Sequence, residues 1–130
     1  MGADTLFIGQ EGSKAFDTVY RSIRFYDRAL NPAEVAHNAV VDGALSAKQL
    51  YVADGLVAVY SGIQNRAGGN DLDAAVWADL CGGNDITLTT DQNNRFELGG
   101  FRSNSVRQFF PQAVVDVVNG QAFTVEMSFG

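Results

Sequence analysis

With 130 residues and 46% hydrophobic content, the chain suits one domain with a true core, and no apolar run is long enough to span a bilayer. A formal net charge of −6, with the nine Lys and Arg scattered singly, excludes the basic patch that nucleic acid or an anionic membrane surface requires. The single cysteine, Cys81, excludes an internal disulfide and reads as a small buried hydrophobe.

Met1 leads into Gly2, Ala3 and Asp4 without the basic and apolar regions of a signal peptide. Residues 5–9, TLFIG, read as a short apolar strand, followed by a Gly/Ser turn over 10–14. Residues 18–26 form the longest alternating strand. Val19, Ile23 and Phe25 lie on one face, and Tyr20, Ser22, Arg24 and Tyr26 on a wetter one. Asn31 is then a natural helix cap, because Pro32 suits the first helical position and Glu34 stands three residues after the cap. The helix over 33–41 is expected to turn Val35, Ala36 and Ala39 towards a core and to stop at Gly43.

A weakly patterned connector over 41–48 follows, then an apolar strand over 55–60, GLVAVY. A polar stretch over 61–73 precedes Trp77 and the turn at Gly82 and Gly83, and a strand over 86–90 ends in the Asp91-Gln92-Asn93-Asn94 turn. Residues 95–102 carry Phe96, Leu98 and Phe101 around Gly99-Gly100, which predicts a bulge or bend. The run after Pro111 is consistent with a strand or a short helix. Residues 121–129 form a last alternating strand with Phe123, Val125, Met127 and Phe129 on one face. The fold class is thus mostly β, antiparallel, with one short helix.

Candidate chemistry is sparse. Asn70, Asp71 and Asp73 offer oxygen ligands at closely spaced positions, without the full spacing of a calcium loop, and Asn84 and Asp85 are further donors if the loops converge. Calcium takes about six to eight oxygens, which this loop alone does not supply, and Asn or Asp in such a turn also bonds its own backbone. Glycoside hydrolysis needs two acids about 5 to 9 Å apart, and no strand carries such a pair: Glu97 and Glu126 stand singly. Glu126, alternating with Thr124 and Ser128, marks the solvent face of its strand. Tyr20, Tyr26, Tyr60 and Trp77 are the aromatics that sugar rings would stack on, with core packing favoured for Trp77. His37, the one histidine, makes neither a metal site nor a triad.

The string SIRFYDRALNPAEVAHN resembles the closing strand and terminal helix of laminin-G-like, concanavalin-A-like jelly rolls, through Ser22, Ile23, Arg24, Tyr26, Arg28, Ala29, Leu30, Glu34, His37 and Asn38. Later strings are similar to the way the same family opens: Leu56, Val57, Ala58 and Tyr60; Trp77, Asp79, Leu80 and Gly82; Phe123, Thr124, Val125 and Glu126. Ser128 departs from the aromatic common there. On this resemblance, residues 1–45 are the closing strands and helix of a repeat and 46–130 the opening strands of one. The implied fold is a partial or rearranged jelly-roll sandwich, complete in one chain or within a larger assembly. The implied function is a non-enzymatic structural or binding module, of the kind repeated in adhesion, cell-surface, phage tail or virion proteins, with a glycan or copies of itself as partners. The alternative is a remnant of a glycoside hydrolase domain, which the missing acid pair argues against.

Overall fold

A computed structural model describes residues 6–9, 18–43, 51–63, 65, 71–92, 94–104, 106–120 and 122–129. The turn expected over 10–14, most of the 41–48 connector and the boundary at residue 45 lie outside the described residues. Nine strands and two helices are described: β1 Phe7–Ile8, β2 Thr18–Tyr26, α1 Pro32–Gly43, β3 Leu56–Ser61, β4 Val76–Trp77, β5 Ile86–Thr87, β6 Arg95–Glu97, β7 Gly100–Ser103, β8 Gln108–Phe109, α2 Gln112–Val118 and β9 Thr124–Phe129. Every described pairing is antiparallel, so the fold is mostly β, as the turn-rich composition implies.

The main sheet is built on β2. Its Ser22 to Tyr26 half pairs with β3 along one edge, and its first residues, Thr18 to Tyr20, pair with β7. β9 runs along the opposite edge from Tyr20 to Tyr26. β2 therefore joins strands from the later part of the chain into one sheet. Two glycines permit the change of neighbour from β3 to β7. A Cβ at Gly62 or at Gly100 would collide with the carbonyl oxygen of Tyr20, and Gly100 also holds a φ of 146°. The Gly99-Gly100 pair serves a tight hairpin, in which Glu97 faces Gly100 across Leu98 and Gly99.

One face of this sheet carries the core. Ile23 and Phe25 of β2, Ala58 and Tyr60 of β3, Phe96 of β6 and Phe101 of β7 meet Trp77, Ile86, Phe110 and Val114. The aromatic rings pack mostly edge-on or tilted, with centroids 5.1 Å apart for Trp77 and Phe101 and 5.0 Å for Phe25 and Phe110. Such contacts add about 1 kcal/mol each beyond the area they bury. The polar tips are satisfied: Trp77 Nε1 donates to the Ser61 carbonyl at 2.9 Å and the Tyr60 hydroxyl to the Asn84 carbonyl at 2.6 Å. Trp77 is a core residue, as its context indicates.

The helices correct two expectations. The described residues contain a second helix, α2, where one was anticipated. Its β-branched run places Val114, Val115 and Val118 at helical spacing, and Gln112 bonds Asp116 one turn on, at 2.9 Å. In α1, Val35, Ala36 and Ala39 do not face the core. They are exposed, and the inward stripe is Glu34, Asn38, Val41 and Asp42. The helix is turned over because Asn38 and Asp42, one turn apart, find hydroxyl and charged partners on the back of β2, which outweigh the burial of small apolar side chains.

The start of α1 forms as expected. Asn31 Oδ1 accepts the Glu34 N–H at 2.9 Å, and Glu34 Oε1 accepts the Asn31 N–H at 3.0 Å, a reciprocal capping box. Arg28 clamps the same carboxylate through both terminal guanidinium nitrogens, Nη1 and Nη2. Asn31→Ala should lower stability by about 1 kcal/mol. Urea unfolding checks this, and an unchanged midpoint would remove the cap.

Candidate functional site

The back face of β2 holds the densest polar cluster in the described residues. Arg24 is 1% exposed beneath α1. Its Nη1 donates to Asp42 Oδ1 at 2.7 Å and its Nη2 to Asp42 Oδ2 at 2.9 Å, a bidentate pair with α1. Nε and Nη2 reach Glu126 of β9 at 3.2 and 3.1 Å, and the Tyr51 ring lies 4.0 Å from the guanidinium carbon. One cation faces two carboxylates, so neutral donors carry the excess negative charge. Tyr51 and Ser22 hydroxyls donate to Asp42, and Asn38 donates to Glu126 at 2.8 Å. Asn38 also donates to the Tyr26 hydroxyl and accepts from the Val52 N–H, which leaves its amide saturated.

Ionisation follows the geometry. Burial works against the Arg24 charge, but the Asp42 hydrogen bonds and charge outweigh it and set its pKa above the ordinary value. Burial likewise raises the Asp42 carboxyl, and its bonds from Arg24, Tyr51 and Ser22 bring the net shift below normal. Burial, then the bond to Asp42, pushes Tyr51 up to about 12, so it stays a hydroxyl donor. This cluster locks α1, β2, β9 and the Tyr51 segment together. With all its groups engaged with one another, it has the chemistry of a clamp and not of a proton-transfer site. The expectation that Glu126 faces solvent is corrected: α1 covers that side of the strand. Tyr20 also leaves the face of Ser22, Arg24 and Tyr26, because the register shifts between Tyr20 and Ser22 and sets its ring on Phe129, 5.5 Å away.

A second feature is a surface cleft of about 430 Å³ lined by Leu72, Asp73, Ala74, Thr90, Asp91, Arg95 and Phe96. It forms where the segment before β4 meets the segment after β5 and the start of β6. Its volume is that of a small-ligand site. Asp91 is fixed by Asn94, whose N–H and side-chain amide donate to Asp91 Oδ1 at 2.9 and 3.0 Å. The two acids and the arginine are exposed around apolar Leu72, Ala74 and Phe96.

Of the candidate calcium residues, Asn70 lies outside the described residues. Asp71 Oδ1 accepts the Asp73 N–H at 3.0 Å, and Asn65, fully buried, grips the Asp71 backbone from both sides. Asp71 therefore shapes its own turn, and Asp73 borders the cleft. Asp85 Oδ1 accepts the Asp79 N–H and Asn84 donates to Asp79, so both serve the Asp79 turn. Among the described residues, no three His, Cys, Asp or Glu side chains are grouped to hold a metal ion. Tyr26, Tyr60 and Trp77 are fully buried and cannot stack on a sugar. The cluster partners of Arg24 escape a linear reading, although Glu34, Asn38 and Asp42 at four-residue spacing are a visible polar stripe.

No family model, curated protein or solved structure matches this chain.

Removing the Arg24 charge strands two carboxylates, each at least four-fifths buried. Arg24→Met should destabilise the chain by about 3 kcal/mol, and Arg24→Met with Asp42→Leu and Glu126→Leu should recover most of it. Denaturant titration of both variants checks the pair. Acid should act on the ion pair and cap at the start of α1. Glu34 is held at about 2, against its ordinary 4.5, by Arg28 and the Asn31 N–H. A depressed carboxyl stabilises above its unfolded pKa and loses this as pH falls through the folded one. Thermal melts should therefore weaken between about pH 4.5 and 2, with a shallower fall in Glu34→Gln.

Proposed function

We propose that this chain is a non-enzymatic structural module that works as a building block of a larger assembly, related to the laminin-G-like jelly rolls. The observation that carries it is one row of exposed apolar side chains on the core side of the sheet: Phe123 just before β9, and Met127 and Phe129 within it. Grouped exposed apolar surface of this kind marks contact sites. The sequence strings support the jelly-roll relation, and an all-antiparallel sheet is compatible with it. Surface, adhesion, phage tail and virion proteins are the settings that relation implies. The glycoside hydrolase alternative is disfavoured because a catalytic acid needs burial to stay protonated, and Asp73 and Asp91 stand exposed. Sedimentation equilibrium over a wide concentration range tests the proposal. Reversible self-association in the micromolar range is expected, and a monomer throughout would overturn it.

One observation favours a second role, glycan binding. The cleft at Asp73, Thr90, Asp91 and Arg95 offers acceptors and donors for sugar hydroxyls beside apolar Leu72. Calorimetry with oligosaccharides selected on a glycan array should give heats that Asp73→Ala and Arg95→Ala abolish without loss of fold. No binding on the array would exclude this role.

A further inference from the structure

Among the described residues β9 pairs with β2 alone, and its other edge has no strand partner. Such edges are normally protected by Lys, Pro or an inward charge. Residues 124–129 contain no Lys, Arg or Pro, and the one charge, Glu126, is folded back onto Arg24. The core-side face of the same strand is left open, with Phe123 and Met127 each 43% exposed and Phe129 57%. A partner that satisfies both must supply a strand edge and an apolar face together.

We propose that the partner is a second copy of the chain, joined β9 to β9 in antiparallel pairing about a two-fold axis, which continues the sheet across both copies. This rests on the assembly reading above and names its contact. Two-fold symmetry allows few registers, because side chains facing one another must lie on the same side of the sheet. Centring on Glu126 would set two carboxylates against each other. Centring on Met127 sets Met127 against Met127, Val125 against Phe129, and Glu126 against Ser128. That register removes the like-charge contact and makes the apolar stripe continuous. With about 200 Å² for each large side chain, Met127 and Phe129, the two exposed residues that this register pairs, contribute up to roughly 200 Å² per copy. Two copies thus supply roughly a quarter of a standard interface before backbone and neighbouring atoms are counted, which suits a reversible dimer.

Cross-linking decides it. In a Cys81→Ser background, Met127→Cys should give a disulfide-linked dimer on mild oxidation, since facing residues sit about 5 Å apart between Cα atoms. Ser128→Cys should not, because its copies are diagonal and separated by more than about 7 Å, beyond disulfide reach. Met127→Lys should weaken dimerisation at least tenfold with an unchanged circular dichroism spectrum. If the chain self-associates while Met127→Cys fails to cross-link, or Met127→Lys leaves the dimer intact, the β9 contact is wrong and the assembly reading stands. A monomer at every concentration overturns both.

Discussion

The fold depends on one buried guanidinium. Arg24 sits in the second half of the central strand, and its hydrogen bonds tie α1 through Asp42 and β9 through Glu126. An isolated charge at that depth would be costly by many kcal/mol, so the position of both neighbours is dictated by the need to solvate it. This explains why α1 turns polar residues inward and small apolar ones outward. It also explains how β9 holds its register, since Glu126 must stand opposite Arg24.

The two faces of the sheet thus obey different physics. The front is closed by aromatic packing around Trp77, which is non-directional and tolerant of the very short strands β4 and β5. The back is closed by directional hydrogen bonds of a few named groups. Bulky apolar side chains are spent on the first task, and the strand edge at β9 is where that cover ends.

Local chemistry was the legible part of the sequence. Asn31, Pro32 and Glu34 specify a helix start within four residues, and their contacts form as the residue types require. Alternation in β2 and the Asp91 to Asn94 turn are equally local. The helix orientation was not legible, because the rule that apolar stripes face inward has no knowledge of a charge waiting on β2. α2 was ambiguous because Val favours strands by propensity while the spacing of Val114, Val115 and Val118 is helical. The cleft joins Asp73 to Asp91 and Arg95 across β4 and β5, a contact that no spacing along the chain encodes.

The inverted helix has a thermodynamic consequence. Detaching α1 from the back of the sheet would uncover Arg24, Asp42, Glu126, Asn38 and Ser22, with Val41 and the Tyr26 and Tyr51 rings as apolar surface. Hydration of apolar surface raises the heat capacity and hydration of polar surface lowers it. Opening of this layer would therefore carry a smaller heat-capacity change than loss of the aromatic layer. The two layers would respond differently to cooling: the front would weaken as the hydrophobic effect fades, and the back would hold.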